Sequence, residues 1–123
     1  MKVVIADDSE VVRERIIAML SELPGIEIVG QAQDVPKAIN SIQKLQPDAV
    51  ILDIRMPGGS GIEVLERIKK NNSAPIVIML TNYPYPQYRK KCMEAGADYF
   101  FDKSTQFDKI IEVFKKSIQR ANN

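Results

Sequence analysis

Polar residues of a reactive type follow directly after apolar segments at several points of this sequence. They are Asp7, Asp8, Asp53, Thr81 and Lys103. The carboxyl ends of parallel strands meet at one edge of a sheet, so we expect these side chains to converge on one crevice if the apolar segments are such strands. Three carboxylates brought together repel one another unless a cation neutralises them. An all-oxygen set of ligands favours a hard divalent ion such as Mg²⁺.

The same groups are suited to phosphoryl transfer. A divalent cation, the Thr81 hydroxyl and the Lys103 ammonium can together hold the oxygens of a phosphoryl group. An aspartate among them can act as the nucleophile and form an acyl phosphate. Asp53 is the best candidate, because it ends the apolar run at 49–52 and an unpartnered carboxylate buried there would be costly. The residues therefore predict Mg²⁺-assisted phosphoryl transfer onto Asp53.

Each of these residues has a plainer interpretation when it is taken alone. Asp7 and Asp8 could be acids at the start of a helix, where they interact favourably with the helix dipole. Thr81 could close a strand or begin a turn, and Lys103 could be a solvated surface charge. It is the combination that favours a phosphoryl-transfer site.

The apolar segments that would position these residues have the length and composition of strands. We predict strands at 2–6, 26–30, 49–53, 74–80 and 98–102. Uniformly apolar runs such as 49–52 indicate strands covered on both faces. Helical spacing of apolar residues follows each strand, which predicts five βα units. The predicted fold class is α/β, with a doubly wound five-stranded parallel sheet and helices on both faces.

Capping residues indicate where the helices begin. The predicted N-caps are Ser9, Asp34, Ser60 and Thr105, the last two in capping boxes with Glu63 and Asp108. A turn is predicted at 71–73, between the third helix and the fourth strand.

The composition excludes several classes of function. The 123 residues fit one domain, and 17 basic against 16 acidic residues leave a net charge of +1, without a global attraction to nucleic acid or anionic membranes. There is no histidine, which excludes a histidine base or a histidine-ligated metal. The single Cys92 excludes an internal disulfide, and we predict that it is a small buried hydrophobe. No signal peptide or membrane-spanning run is apparent, so we expect a cytoplasmic location.

Four motifs of the sequence occur in the same order in one known family. They are Ile-Ala-Asp-Asp-Ser at 5–9, Leu-Asp-Ile-Arg-Met-Pro-Gly-Gly-Ser-Gly at 52–61, Leu-Thr at 80–81 and Gly-Ala-Asp-Tyr-Phe-Phe-Asp-Lys at 96–103. With this set the chain resembles the receiver domain of bacterial two-component response regulators, including the chemotaxis type, over essentially its whole length. The resemblance implies one receiver domain at 1–123 with a flavodoxin-like fold and strand order 2-1-3-4-5.

The resemblance also implies roles for individual residues. Asp53 would be the phosphoacceptor, and Thr81 and Lys103 would contact the phosphoryl oxygens. The ligands of Mg²⁺ would be Asp7, Asp8, Asp53 and the main-chain carbonyl of Arg55. Phe100 matches the switch aromatic, which in the family turns inward as the threonine moves toward the phosphate.

These roles imply a switch in a phosphorelay. The phosphoryl group would come from a phosphohistidine on a sensor histidine kinase or a phosphotransfer protein, and the response would pass to a downstream protein or an output domain. A receiver also promotes its own dephosphorylation, so the chain would be a self-modifying switch and not a turnover enzyme. We expect a monomer or a weak phosphorylation-dependent dimer, with no direct binding of nucleic acid or membrane by this chain.

Three features depart from the family's usual pattern. Asn82 stands where a small residue usually follows the threonine, and it could narrow access for a phosphodonor and for hydrolytic water. Ser104 replaces a proline that many receivers carry, so we predict a trans Lys103–Ser104 peptide bond. The segment Tyr83-Pro84-Tyr85-Pro86 should shorten the fourth helix, and its tyrosines could form an interface or shield the loop from solvent.

Other functions remain as alternatives. The chain could be the receiver half of a DNA-binding transcriptional regulator whose output domain is absent from this sequence. An aspartate-nucleophile phosphatase of similar topology would need a cap domain or a substrate pocket, for which 123 residues leave no room. A nucleotide- or flavin-binding protein would need a glycine-rich loop after the first strand, where Asp-Asp-Ser stands instead.

Overall fold

Five parallel strands form the central sheet of the protein, in a computed structural model that describes residues 1–70 and 74–122. They are β1 (Lys2–Ala6), β2 (Glu27–Ala32), β3 (Ala49–Leu52), β6 (Ile76–Thr81) and β7 (Tyr99–Asp102). The pair β4 (Arg55–Met56) and β5 (Gly59–Ser60) forms a small antiparallel hairpin outside this sheet. The order across the sheet is β2-β1-β3-β6-β7, which is the predicted order 2-1-3-4-5 when the five long strands are numbered along the chain.

Helices connect successive strands and cover both faces. They are α1 (Glu10–Leu20), α2 (Val35–Leu45), α3 (Gly61–Ile68), α4 (Pro86–Glu94) and α5 (Lys109–Asn122). The predicted N-caps Ser9 and Asp34 are confirmed, because their side chains accept the backbone N–H groups of Val12 and Lys37. No helix in the described part of the chain combines the length and the apolar character needed to cross a membrane.

The core consists of two apolar layers, one on each side of the sheet. Successive residues of a strand point to opposite faces, so each central strand contributes to both layers. One layer joins the sheet to α2, α3 and α4, and the other joins it to α1 and α5. The buried strand residues of the first layer include Val4, Val50, Leu52, Val77 and Met79, and those of the second include Val3, Ile5, Ile51, Ile78 and Leu80. The predicted doubly wound α/β fold is confirmed.

The fourth helix is short, as predicted. Pro86 occupies its first turn, where a missing N–H is tolerated, and Tyr85 at the N-cap position makes no side-chain capping bond. Cys92 lies on its inner face and is fully buried, as predicted.

Several predicted boundaries are wrong by a few residues. The second strand was predicted at 26–30 but covers Glu27–Ala32, because β1 offers pairing partners as far as Ala6, which pairs with Ala32. The fourth and fifth strands begin later than predicted, at Ile76 and Tyr99, and the fourth includes Thr81. The turn predicted at 71–73 lies outside the described residues.

The two predicted capping boxes differ in outcome. Ser60 does cap α3, but its hydroxyl accepts the N–H of Ile62 and not that of Glu63. Thr105 does not cap α5, which begins only at Lys109. The chain between β7 and α5 is instead held as a turn by hydrogen bonds to Asp102, which delays the start of the helix.

Candidate functional site

The carboxyl ends of β1, β3, β6 and β7 meet at one edge of the sheet. Ala6 pairs with Leu52, so the residues that follow them, Asp7 and Asp53, leave the sheet side by side. The N–H of Asp53 donates to the Ala6 carbonyl at 2.9 Å, which holds these two strand ends together. On the other side, the N–H of Lys103 donates to the Thr81 carbonyl at 2.9 Å. The register of the sheet therefore brings four distant segments to one place.

The predicted carboxylates form a cluster at this edge. Asp7, Asp8 and Asp53 can each offer one oxygen, and these oxygens lie within 4.8 Å of one another. Asp7 and Asp53 are only 2% and 6% exposed, whereas Asp8 faces solvent. An all-oxygen set open to solvent on one side fits a hard divalent cation such as Mg²⁺.

Lys103 lies between the two buried carboxylates. Its Nζ is 2.6 Å from Oδ2 of Asp7 and 2.9 Å from Oδ2 of Asp53. One ammonium therefore serves two carboxylates, and with Asp8 the three acids exceed the cation by two charges. This excess of negative charge is a second observation that fits a divalent cation.

The electrostatics of the site follow from burial and these contacts. Burial raises the pKa of the Asp53 carboxyl, and the charge of Asp7 adds to the rise, although the hydrogen bond from Lys103 opposes it. Burial alone would lower the pKa of the Lys103 ammonium, but its hydrogen bonds to Asp7 and Asp53 outweigh this effect, and the pKa of Lys103 is raised. Lys103 therefore carries its charge throughout the neutral pH range.

The remaining oxygens of the buried carboxylates are fixed by the backbone. Oδ1 of Asp53 accepts the N–H of Ile54 at 2.7 Å, and Oδ1 of Asp7 accepts the N–H of Ser9 at 2.9 Å. Each acid thus uses one oxygen for its own loop and the other for Lys103. Both side chains are held in one orientation before any ligand arrives.

Arg13 is a site residue that the sequence analysis missed. Its guanidinium donates to the main-chain carbonyl of Asp7 at 2.7 Å and to Oε1 of Gln31 at 3.1 Å. It therefore ties α1 and β2 to the loop that carries the acidic pair. The only signal in the sequence is its place one turn into the helix that follows Asp7 and Asp8.

Thr81 lies at the end of β6 and is fully buried. Its Oγ1 accepts the N–H of Tyr83 at 2.9 Å, so the hydroxyl hydrogen is left to donate elsewhere. Asn82, between them, is exposed. The predicted contacts of Thr81 with a phosphoryl group stay predictions.

Arg55 and the tyrosines of the following loop form one surface beside the site. The Arg55 guanidinium stacks on the Tyr83 ring at 3.8 Å from its centroid. The ring centroids of Tyr83 and Tyr85 are 6.2 Å apart, and those of Tyr85 and Tyr88 are 5.7 Å apart. The contact between Arg55 and Tyr83 therefore joins the loop after β3 to the loop after β6. The role predicted for the Arg55 main-chain carbonyl stays a prediction.

Phe100 is not part of the charged cluster. It lies on β7, three residues before Lys103, and is 4% exposed, in the core layer that also contains Cys92. Arg89 lies 5.6 Å from the ring centroid and donates to the Phe100 carbonyl at 3.3 Å. The ring thus faces inward, next to α4. Its predicted role as a switch stays a prediction.

The comparisons with known proteins agree with this geometry. Residues 3–115 match the family described as "Response regulator receiver domain". The chain is 37% identical over 105 residues to a protein-glutamate methylesterase/protein-glutamine glutaminase of Alkalilimnicola ehrlichii, a match that covers 84% of this chain and 27% of that protein. It spans between 22% and 60% of the length of the curated relatives that it matches.

Solved structures give the same result. A DNA-binding response regulator of the LuxR family from Staphylococcus aureus is similar with a TM-score of 0.86 and 29% identity, covering 94% of this chain and 96% of that one. The CheX-CheY-BeF3-Mg²⁺ complex from Borrelia burgdorferi contains a chain that is similar with a TM-score of 0.79 and 28% identity, covering 93% and 89%. The family match spans most of the chain, and the topology and the acidic crevice agree with it. This chain belongs to the response regulator receiver domain family.

Proposed function

We propose that the chain is a phosphorylation-activated switch that accepts a phosphoryl group on Asp53. The observation that carries the proposal is the cluster in which Lys103 contacts both Asp53 and Asp7 beside a third carboxylate. A carboxylate that is buried, oriented and paired with a single ammonium is prepared for a reaction that brings a phosphoryl group and a cation to it. The donor would be a phosphohistidine on a sensor histidine kinase or a phosphotransfer protein.

The proposed step is an in-line displacement at phosphorus. An Asp53 carboxylate oxygen forms the new bond to phosphorus, and the bond from phosphorus to the donor's imidazole nitrogen breaks, leaving its electron pair on that nitrogen. Lys103 and the Thr81 hydroxyl would donate to the phosphoryl oxygens. Mg²⁺ would be held by Asp7, Asp8, Asp53 and the Arg55 carbonyl, and it would supply positive charge that neutralises the oxygens during transfer. The Mg²⁺ and BeF3 named for the Borrelia burgdorferi complex support this assignment.

Phosphorylation would act on the rest of the molecule through Thr81 and Phe100. Movement of the Thr81 hydroxyl toward the phosphoryl group would alter its bond with the Tyr83 N–H, which belongs to the loop before α4. Phe100 of β7 lies beside Arg89 of α4, the helix that this loop precedes. The altered surface would then bind a downstream protein or an output domain. The chain would reverse the modification by its own hydrolysis and would not be a turnover enzyme.

The other properties proposed for the chain follow from the same assignment. Residues 1–123 would form one receiver domain, acting in the cytoplasm as a monomer or a weak phosphorylation-dependent dimer. Neither nucleic acid nor membrane would bind to it directly.

A second candidate is that the chain is the receiver half of a DNA-binding transcriptional regulator. Two observations favour it. The chain is similar to a DNA-binding response regulator, and it spans only part of the length of its curated relatives. The chemistry at Asp53 would be the same, and only the output would differ.

The test is intact-mass measurement after incubation with acetyl phosphate, with and without Mg²⁺. The parent chain should gain one phosphoryl group only when Mg²⁺ is present, and Asp53→Asn should gain none. Asp34→Asn is the matched control, because the Asp34 side chain caps α2 and is not a member of the carboxylate cluster, and asparagine caps equally well. It should be modified like the parent.

A gain in Asp53→Asn that equals the parent's would contradict the assignment of the phosphoacceptor. Absence of any gain in the parent calls for the same measurement with a phosphorylated histidine phosphotransfer protein as donor. If Asp53 stays unmodified there as well, the proposed function is wrong.

A further inference from the structure

The turn after β7 determines where the Lys103 side chain lies. It must place Lys103 so that its ammonium reaches both Asp7 and Asp53, although β7 lies at the edge of the sheet. The peptide bond between Lys103 and Ser104 is trans. The chain therefore needs another device to fix the turn.

Asp102 fixes the residue that follows Lys103. Its Oδ1 accepts the N–H of Ser104 at 2.9 Å and the hydroxyl of Ser104 at 2.7 Å. These bonds hold the pKa of the Asp102 carboxyl below its ordinary value, because they stabilise its charged form. An aspartate that accepts the N–H two residues ahead closes an Asx turn, which restricts the backbone between them.

Gln106 fixes the residue that precedes Lys103. Its Oε1 accepts the N–H of Asp102 at 3.0 Å, and its own N–H donates to the Asp102 carbonyl at 2.8 Å. Both backbone polar groups of Asp102 are thus bonded to Gln106. The Gln106 carbonyl also accepts the N–H of Lys109 at the start of α5.

We propose that Asp102 and Gln106 are positioning residues that aim the Lys103 ammonium at the phosphoacceptor. This role rests on the proposed function of Asp53. Neither residue would contact the phosphoryl group. They act by holding the backbone on either side of Lys103, so that the ammonium occupies its place between Asp7 and Asp53 before the donor binds. Rigid placement of a charged group lowers the cost of using it in a transition state.

Paired variants separate the turn from the charge of Asp102. Asp102→Ala removes the Asx turn and the charge, whereas Asp102→Asn removes only the charge and keeps the acceptor oxygen. Gln106→Met keeps the length of the side chain and removes the oxygen that binds the Asp102 N–H. Both positions are partly exposed, and thermal unfolding monitors the folding of each of the three variants.

The first readout is the rate of phosphorylation by acetyl phosphate in the presence of Mg²⁺. Asp102→Ala and Gln106→Met should be slower than the parent by about tenfold, as expected for a misplaced reactive group, and Asp102→Asn should stay close to the parent. In a Lys103→Met background the same substitutions should cause no further loss, because residues that act only through Lys103 have nothing left to position. A further loss in that background, or equal slowing by Asp102→Asn and Asp102→Ala, would overturn the proposal.

The second readout does not depend on phosphorylation. The protein is labelled with ¹⁵N at its lysine side chains and studied by NMR at neutral pH. The Lys103 ammonium, held between two buried carboxylates, should give an Nζ–H cross-peak. Exposed lysines should give none, because their ammonium hydrogens exchange rapidly with water. The Lys103 cross-peak should be lost in Asp102→Ala and Gln106→Met and retained in Asp102→Asn. If the cross-peak is retained in all three variants, the positioning role is wrong, regardless of how fast each variant is phosphorylated. A parent that is never phosphorylated would refute the proposed function alone.

Discussion

At the scale of single residues, the site depends on one ammonium shared by two buried carboxylates. Lys103 contacts Asp7 and Asp53, and all three side chains are nearly inaccessible to solvent. Removing charges from water is costly, and the cost is recovered only while the partners stay in place. The loss of Lys103 would leave two carboxylates facing each other with no positive charge between them.

We therefore predict that Lys103→Met lowers the free energy of unfolding by about 3 kcal/mol when no Mg²⁺ is added. Added Mg²⁺ should stabilise the variant more than the parent, because the cation replaces the lost charge. Urea titrations with and without Mg²⁺ measure both effects. The control is Lys116→Met, an exposed lysine of α5. Equal stability of the two variants would show that the shared ammonium does not hold the carboxylates together.

Asn82 is exposed and directly follows the buried Thr81 at the carboxyl end of β6. Its side chain is larger than the residue usual in the family, so we expect it to hinder both the phosphodonor and the hydrolytic water. Asn82→Ala should increase the rate of phosphorylation by acetyl phosphate about threefold and shorten the lifetime of the acyl phosphate by about the same factor. A threefold change in rate corresponds to less than about 1 kcal/mol in the activation barrier. Mass spectrometry over time measures both rates. Asn40→Ala, on the exposed face of α2, is the control, and unchanged rates in Asn82→Ala would refute the idea.

At the scale of elements, the loop between β3 and α3 is held tightly against the site. The Gly61 N–H donates to the Ile54 carbonyl at 2.6 Å, and a Cβ at Gly61 would overlap the main-chain carbonyl of Asp53. The Val35 N–H at the start of α2 donates to the Pro57 carbonyl at 3.0 Å, which secures the outer end of the loop. A glycine is required at 61 by this close approach of two backbone segments.

Gly61→Ala should therefore lower the free energy of unfolding by about 2 kcal/mol or more and slow phosphorylation, since the backbone of Asp53 must shift to admit the methyl group. The matched control is Gly25→Ala, where φ is +86° but no atom beyond the two adjacent residues lies within 4 Å of the added carbon. That variant should lose about 1 kcal/mol from backbone strain and keep its phosphorylation rate. Urea titration and intact-mass kinetics separate the two effects. Normal phosphorylation in Gly61→Ala would contradict the steric argument.

At the scale of the whole molecule, two core layers enclose the sheet, and each is completed by helices distant in sequence. Cys92 lies on α4 within the layer formed with α2 and α3, and it is fully buried. Burial raises the pKa of its thiol from 9.0 to about 11, because the interior disfavours the thiolate. Below the pKa that the thiol has in the unfolded chain, Cys92 is neutral and its full contribution to the free energy of unfolding is present. This contribution is lost as the pH rises toward 11, the pKa in the folded protein.

Alkylation of Cys92 at pH 8 should accordingly report global unfolding. In the native protein we expect it to be at least several thousandfold slower than in urea, since unfolding of a small domain costs roughly 5 kcal/mol or more. A matched control carries Cys92→Ala with Met93→Cys, which moves the thiol to a neighbouring position that is 42% exposed. That variant should react promptly without urea. Rapid native labelling of Cys92 would show that α4 opens locally.

The sequence by itself determined the local features of this protein. Each of these features is set by residues that are neighbours in the chain. They are the uniformly apolar strands, the caps at Ser9 and Asp34, the late start of α4 at Pro86 and the polar residues that follow the strands. These signals predicted the α/β fold and identified the acids that cluster at one edge, whereas the strand order was predicted from the resemblance to the receiver family.

Only the tertiary structure decided which distant groups touch. Lys103 meets Asp53 although they are 50 positions apart, because the register of β3, β6 and β7 brings their ends together. The extension of β2 to Ala32 depends on pairing with β1, and the late start of α5 depends on the turn held by Asp102. Such contacts are set by pairing and packing between segments, whose energies no local pattern contains.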